Sequence, residues 1–168
     1  MLSVTINQKK YQFEHEITIL EAAQKMGIPI PTLCHDTRLK PYGGCRLCVV
    51  DVKGWPRPGT ACTTPLAEGM IIETHTPEIE NYRRTLLRLL SIGYSPEAVQ
   101  KYPDKEFHRY LQSYGVHPIS NGKLKDTFVD TSHPYINVDM HQCINCYLCV
   151  RICDELQGQF VWKVWNRG

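Results

Sequence analysis

The sequence predicts an α+β chain of three sections, two that carry cysteines and a helical one between them that has none. Three observations carry this reading. An alternating hairpin is followed at once by a capped helix. A later stretch repeats apolar residues at helical spacing without a cysteine. The eight cysteines of the 168 residues fall into two sets of four. The sections run over 1–75, 76–130 and 131–168.

In the first section Leu2, Val4 and Ile6 alternate with Ser3 and Thr5, the pattern of a half-buried strand. Asn7, Gln8 and Lys9 are expected to turn. Lys10 to Glu14 returns with Tyr11 and Phe13 on one face, making a hairpin. Thr18-Ile-Leu-Glu21 reads as a capping box, with Thr18 accepting from the third helical amide and Glu21 reaching back. Leu20, Ala23 and Met26 supply the apolar stripe, Gly27 the left-handed stop, and Pro29 and Pro31 forbid continuation. A hairpin and a packed helix open a β-grasp arrangement. Strands are expected at Leu47 to Val52, Thr60 to Thr63 and Met70 to Thr74.

The second section starts a helix at Pro77-Glu78. Ile79, Tyr82, Leu86, Leu89 and Leu90 form its apolar stripe, with Arg83, Arg84 and Arg88 on other faces. Polar loops are expected after it. The third section ends in QFVWKVWNRG, which reads as the beginning of a strand.

Composition bounds the function. Charged residues are 21%, net charge is +2 and mean hydropathy is −0.32. No strong field points to nucleic acid, no apolar run spans a bilayer, and the start MLSVTINQKK is not a secretory signal. A cytoplasmic protein is expected, where thiols stay reduced and disulfides are a poor account of eight cysteines. Metal binding, redox chemistry and burial remain.

The first set is Cys34, Cys45, Cys48 and Cys62, within PTLCHDTRLKPYGGCRLCVVDV and PGTACTTPL. A [2Fe–2S] cluster takes four thiolates. On spacing alone, the Cys45-x-x-Cys48 pair would hold one iron and the distant cysteines the other. Gly43 and Gly44 let backbone amides approach the sulfurs. Cys62 is expected on a strand. A structural zinc site also uses four cysteines, although it favours two short-spaced pairs. The second set is Cys143, Cys146, Cys149 and Cys153, the C-x2-C-x2-C-x3-C run of bacterial ferredoxins, which hold a [4Fe–4S] cluster. In two-cluster ferredoxins the fourth cysteine of such a run serves the other cluster, and Asp154 stands where proline usually follows. Cys153 is therefore expected to bind this cluster or a second one. The chain is expected to be a piece of a longer polypeptide, or to be completed by a partner.

The segments TILEAAQKMGI, IPIPTLCHD, GGCRLCVVDV and ACTTPLAEGM resemble the [2Fe–2S] β-grasp domain that opens the large iron–sulfur subunit of respiratory complex I, iron-only hydrogenases and NAD-linked formate dehydrogenase alpha subunits. In those families a helix and one histidine with three cysteines hold a middle [4Fe–4S] cluster. Here NYRRTLLRLLSIGYSPEAVQ keeps the helix, but the following text has no cysteine, and His108 alone cannot hold a cubane. With SHPYINVDMHQCINCYLCVRICDELQGQ, that departure makes the chain most similar to formate dehydrogenase alpha subunits. The resemblance implies an electron relay, with no catalytic residue in this chain. It implies as partners a molybdenum or tungsten catalytic subunit or domain, and a flavin/NAD or ferredoxin-linked subunit. A free-standing ferredoxin-like carrier, and the matching segment of a hydrogenase or complex I subunit, are the competing readings.

Other residues have plainer expectations. His35 and His141 adjoin ligand cysteines without being needed as ligands. Tyr147, Trp162 and Trp165 are candidates to shield the second cluster or simply to pack. Arg46, Arg57 and Arg151 are expected to be solvated.

Overall fold

A computed structural model describes residues 1–119 and 129–164. The chain divides into two compact units, Met1–Arg83 with Cys146–Gly168, and Arg84–Asn145. The three sections drawn above sort the chain by cysteine content and run differently from these units. Cys143 belongs to the second unit, and Cys146, Cys149 and Cys153 to the first.

In the first unit, strands β1 (Leu2–Ile6) and β2 (Lys9–Phe13) pair antiparallel with Ile6 opposite Lys9. Asn7 and Gln8 alone make the turn, with φ of 47° and 67°. Two left-handed residues in succession match the twist of the flanking strands. Lys9 thus belongs to the strand, one residue earlier than expected. Helix α1 (Ile19–Lys25) starts at Thr18, whose Oγ1 accepts from the Glu21 amide at 3.2 Å. Glu21 Oε2 accepts from the Thr18 amide at 2.7 Å, closing the predicted box. At the other end Gly27 has φ 67°, its amide donates to Gln24 O, and the Ile28 amide donates to Ala23 O at 2.8 Å. This left-handed cap satisfies carbonyls that the helix leaves open.

The sheet continues through β3 (Val49–Val52), β4 (Gly59–Thr60) and β5 (Ile71–Glu73) in the order β2-β1-β5-β3-β4. The β1–β5 pair is parallel and the others antiparallel. Ile19, Leu20, Ala22 and Ala23 of α1 bury against Val4, Ile6, Phe13, Val50, Val52 and Ile72, and Cys48 and Cys62 belong to the same core. The strands at 47–52 and 60–63 are shorter than the alternation suggested. Cys48 precedes β3 and Cys62 follows β4, each in a turn. The amides of Thr63 and Thr64 both bond Thr60 O at 3.1 Å, curling the chain at Cys62 instead of extending it.

The capping box gives a direct test. Thr18→Ala removes the side-chain acceptor for Glu21 N and is expected to cost about 1 kcal/mol by thermal or urea unfolding. The Thr18 amide and hydroxyl hold the Glu21 carboxyl below its usual range. A lowered carboxyl contributes stability above its unfolded value of 4.5. That contribution is lost as pH falls through the folded value. The wild-type advantage over Thr18→Ala should therefore shrink in acid and persist at neutral pH.

Helix α2 (Pro77–Leu90) runs from the first unit into the second. Its buried positions are Ile79, Arg83 and Leu87, while Tyr82 and Leu89 lie exposed. The stripe is thus rotated from the expected one. Arg83 takes an inward position because its guanidinium finds three oxygen partners, with Nη2 donating to Val49 O and Thr74 O at 2.9 Å and Nη1 to Glu80 Oε1 at 2.7 Å.

The second unit contains more helix than expected. Beyond α2 it has α3 (Pro96–Lys101), capped by Ser95 on the Ala98 amide at 3.0 Å, and α4 (Glu106–Ser113). Both are short and polar, and individually weak enough to read as loop in the sequence. Tyr94, Ala98, Phe107, His108, Leu111 and Val116 are buried, and the Tyr94 and Phe107 rings meet edge-on at 5.0 Å. A two-strand ladder of β6 (Val129–Asp130) and β7 (Val138–Asp139) precedes a 3₁₀ turn at Met140–Gln142. The expected final strand is not formed over 159–164; 165–168, with Trp165, lie outside the described residues. Among the described residues no helix is long and apolar enough to cross a membrane.

Candidate iron–sulfur sites

Cys34, Cys45, Cys48 and Cys62 are brought together and buried by the first unit. Their sulfurs are grouped differently from the C-x-x-C spacing. Cys34 is hydrogen-bonded to Cys45, and Cys48 Sγ lies 3.3 Å from Cys62 Sγ. A cysteine of the short motif therefore pairs with a distant partner, not with its neighbour. Arg46, between the two, has φ 58°, in the left-handed region.

The backbone supplies donors around these sulfurs. The Cys45 amide donates to Cys34 Sγ at 3.4 Å, and the Gly44 amide supports it. The Leu47 and Leu33 amides serve Cys45, and the Gly43 amide serves Cys62. Gly43 has a conformational as well as a steric reason, and Gly44 a steric one. Gly43 has φ 69°, and a Cβ there would lie 3.1 Å from Thr63 Cγ2. A Cβ at Gly44 would lie 2.2 Å from the Tyr42 ring.

Hydrogen bonding within each thiol pair sets the acidities of its two members apart. The Cys45 thiol, with the Cys45 and Gly44 amides and the Arg151 guanidinium, pulls Cys34 down to about 6 against burial. The hydrogen bond to Cys34, together with burial, pushes Cys45 up. The Cys48 hydrogen bond likewise lowers Cys62, while Cys62 and burial raise Cys48. Metal loading displaces such protons.

This donor set fits a [2Fe–2S] group. It offers four convergent thiols in two pairs, amides aimed at sulfur, and apolar residues behind Cys48 and Cys62.

The second set is built differently. Cys143 ends the 3₁₀ turn at Met140–Gln142, which Asp139 caps through the His141 amide at 3.0 Å. In the first unit Tyr147, with φ 62°, opens helix α5 (Leu148–Arg151), which carries Cys149 and continues as a wider π turn over Ile152–Leu156 containing Cys153. Cys149 is exposed and Cys146 half-buried, whereas Cys153 is buried with its Sγ accepting from the Val161 amide at 3.3 Å.

The remaining candidates are settled by their surroundings. His141 Nδ1 lies 3.0 Å from Asp139 Oδ1. His35 Nε2 is buried without a hydrogen-bond partner among the described residues. Trp162 stands outside any helix or strand. Arg151 is not solvated. It is buried and its guanidinium bonds carbonyls of the first cysteine loop, a role invisible in a sequence where the partners stand more than a hundred residues away.

His108 has a packing role in the second unit. Its Nδ1 lies 2.5 Å from Tyr102 O and its Nε2 2.7 Å from Tyr94 Oη. A carbonyl only accepts, so Nδ1–H donates to Tyr102 O and, in the neutral ring, Nε2 accepts from the Tyr94 hydroxyl. Both nitrogens are used. His108→Leu should destabilise the protein by about 1–3 kcal/mol through stranded polar partners, with no change in iron content by elemental analysis.

Residues 1–77 match the family described as the 2Fe-2S iron-sulfur cluster binding domain. This part of the chain is similar to [2Fe–2S] ferredoxin-like domains. The full chain is 34% identical over 173 aligned residues to an NADH-quinone oxidoreductase subunit of Rhizobium meliloti (strain 1021) and 32% identical over 171 to NADPH-Fe(3+) oxidoreductase subunit alpha of Geobacter sulfurreducens, covering all of this chain and 20% of each relative. It is 32% identical to NADP-reducing hydrogenase subunit HndD of Solidesulfovibrio fructosivorans, covering 30% of that protein. The chain thus spans about a fifth of the first two relatives. A crystal structure of an NAD+-reducing [NiFe]-hydrogenase in its H2-reduced state matches 99% of this chain and 71% of its own, with a TM-score of 0.86 and 28% identity. These matches extend beyond residues 1–77 over essentially the whole of this chain.

Proposed function

We propose that the chain is the iron–sulfur electron-relay segment of an NAD(P)-linked oxidoreductase in the cytoplasm, with Cys34, Cys45, Cys48 and Cys62 holding a [2Fe–2S] cluster. The observation that carries this is the pairing of four buried thiols beneath backbone amides. When bound, the cluster supplies one-electron storage. The protein does the rest. Amides aimed at the sulfurs stabilise added negative charge and raise the reduction potential. The core behind Cys48 and Cys62 keeps water from that side. No proton donor, nucleophile or substrate pocket takes part.

Cys143, Cys146 and Cys149 are proposed as ligands of a [4Fe–4S] cluster, with Cys153 binding it or a second cluster. The spacing supports this, as does the amide already directed at Cys153. The proposed 1–75 and 131–168 sections then carry one cluster each, joined by 76–130. The relatives' names support a nicotinamide-linked partner, and the flavin is implied by the resemblance alone. The resemblance to formate dehydrogenase alpha subunits, in which the cysteine-free stretch over 76–130 is the distinguishing feature, implies a molybdenum or tungsten formate-oxidising subunit as the other.

The test uses the native assembly, purified without oxygen through a tag on this chain. Flavin and molybdenum or tungsten should co-purify, and NAD(P)H or formate should reduce the [2Fe–2S] signal within one turnover in freeze-quenched samples. A chain that purifies alone, and stays oxidised with both donors, is a free carrier and overturns the proposal.

A further inference from the structure

Arg151 lies two residues from Cys149 and two from Cys153, and is 8% exposed. Its partners lie on the loop that follows Cys34. Nη1 donates to Cys34 O at 3.1 Å, and Nη2 donates to Lys40 O. Nε donates to Glu155 Oε1 at 3.2 Å, and Glu155 Oε2 accepts from the Lys40 amide at 2.8 Å. The guanidinium carbon sits 4.9 Å from the centre of the Tyr42 ring, which in turn lies 5.7 Å from the Tyr147 ring. One side chain thus fastens the segment bearing Cys146, Cys149 and Cys153 to the loop from Cys34 to Tyr42, entirely within the first unit. A planar fork with fixed donors suits this task, and a lysine would reach fewer acceptors.

We infer that Arg151 is a positioning residue that locks the two cysteine-bearing segments together, and that its buried positive charge raises the reduction potential of the cluster held at Cys34. The inference rests on the [2Fe–2S] reading above. Reduction adds one electron and one unit of negative charge to that cluster, and a nearby cation favours the charged product. Glu155 opposes it, since its carboxylate offsets part of the guanidinium charge.

Wild-type chain, Arg151→Gln, Arg151→Lys and Glu155→Gln are loaded with iron and sulfide under argon, analysed for both, and titrated with redox mediators while the [2Fe–2S] signal is followed by electron paramagnetic resonance. Arg151→Gln should lower the reduced-to-oxidised ratio at fixed ambient potential about tenfold, equivalent to about 59 mV for one electron. Arg151→Lys should stay within about threefold of wild type, because it keeps the charge. Glu155→Gln should shift the ratio the opposite way to Arg151→Gln. A purely structural clamp would not give opposite signs. If Arg151→Gln fails to load, Glu155→Gln decides by its upward shift. A loaded Arg151→Gln at the wild-type potential, or a Glu155→Gln that does not shift upward, overturns this inference alone. A wild-type chain without iron and labile sulfide overturns the cluster reading and this inference with it.

Discussion

Arg83→Ala is expected to destabilise the protein by about 3–5 kcal/mol, the range for breaking a buried charge network. Arg83 is fully buried in α2. Alanine would strip a donor from Val49 O and from Thr74 O, remove the Glu80 partner, and leave a cavity where the side chain lay. Val49 opens β3 and Thr74 follows β5, and both residues are buried. At about 4–8 °C per kcal/mol for a unit of this size, the melting temperature should fall by more than about 10 °C. Arg83→Met refills the volume but strands the same carbonyls, so it should recover only the cavity part. Val49 adjoins Cys48, and the loss should therefore also loosen cluster retention, seen as faster bleaching on chelator challenge. An unchanged melting temperature would mean that the Arg83 network contributes nothing net.

The second large effect is chemical. Cys48→Ala should abolish the [2Fe–2S] absorption and its reduced-state resonance, because the second pair then offers only Cys62. The fold should survive. Cys48 is part of the core, yet the change removes a single sulfur, a cost of roughly 1–2 kcal/mol by analogy with small core truncations. Circular dichroism should stay near wild type while iron from this site is lost. Cys34→Ala, Cys45→Ala and Cys62→Ala should behave alike, since each leaves one pair with one thiolate. Cys143→Ala should leave the [2Fe–2S] resonance intact. A Cys48→Ala chain that retained that resonance would remove Cys48 from the ligand set.

What is legible in the sequence is what is written locally. The hairpin, the Thr18–Glu21 box and the Gly27 stop depend on residues within a few positions of one another, and all are found. The gathering of the first cysteine set is foreshadowed only by its loop glycines, since the thiols that meet stand 11 and 14 positions apart. The differences share a physical cause. Arg83 and Arg151 look like surface charge in the sequence because their carbonyl partners come from distant strands and loops. The C-x-x-C spacing does not show that Cys48 meets Cys62 and Cys34 meets Cys45, because those partners stand 14 and 11 positions apart. Helices α3 and α4 are held by a tertiary core around Tyr94, Phe107 and His108 more than by propensity.

The central claim is that the four paired thiols of the first set hold iron and sulfide. The most direct measurement is iron, zinc and acid-labile sulfide on the chain prepared without oxygen, with its resonance before and after one-electron reduction. Coloured protein with iron and labile sulfide is expected, silent when oxidised and paramagnetic when reduced, the [2Fe–2S] part disappearing in Cys48→Ala. Colourless protein that binds zinc, or iron without labile sulfide, would contradict the claim.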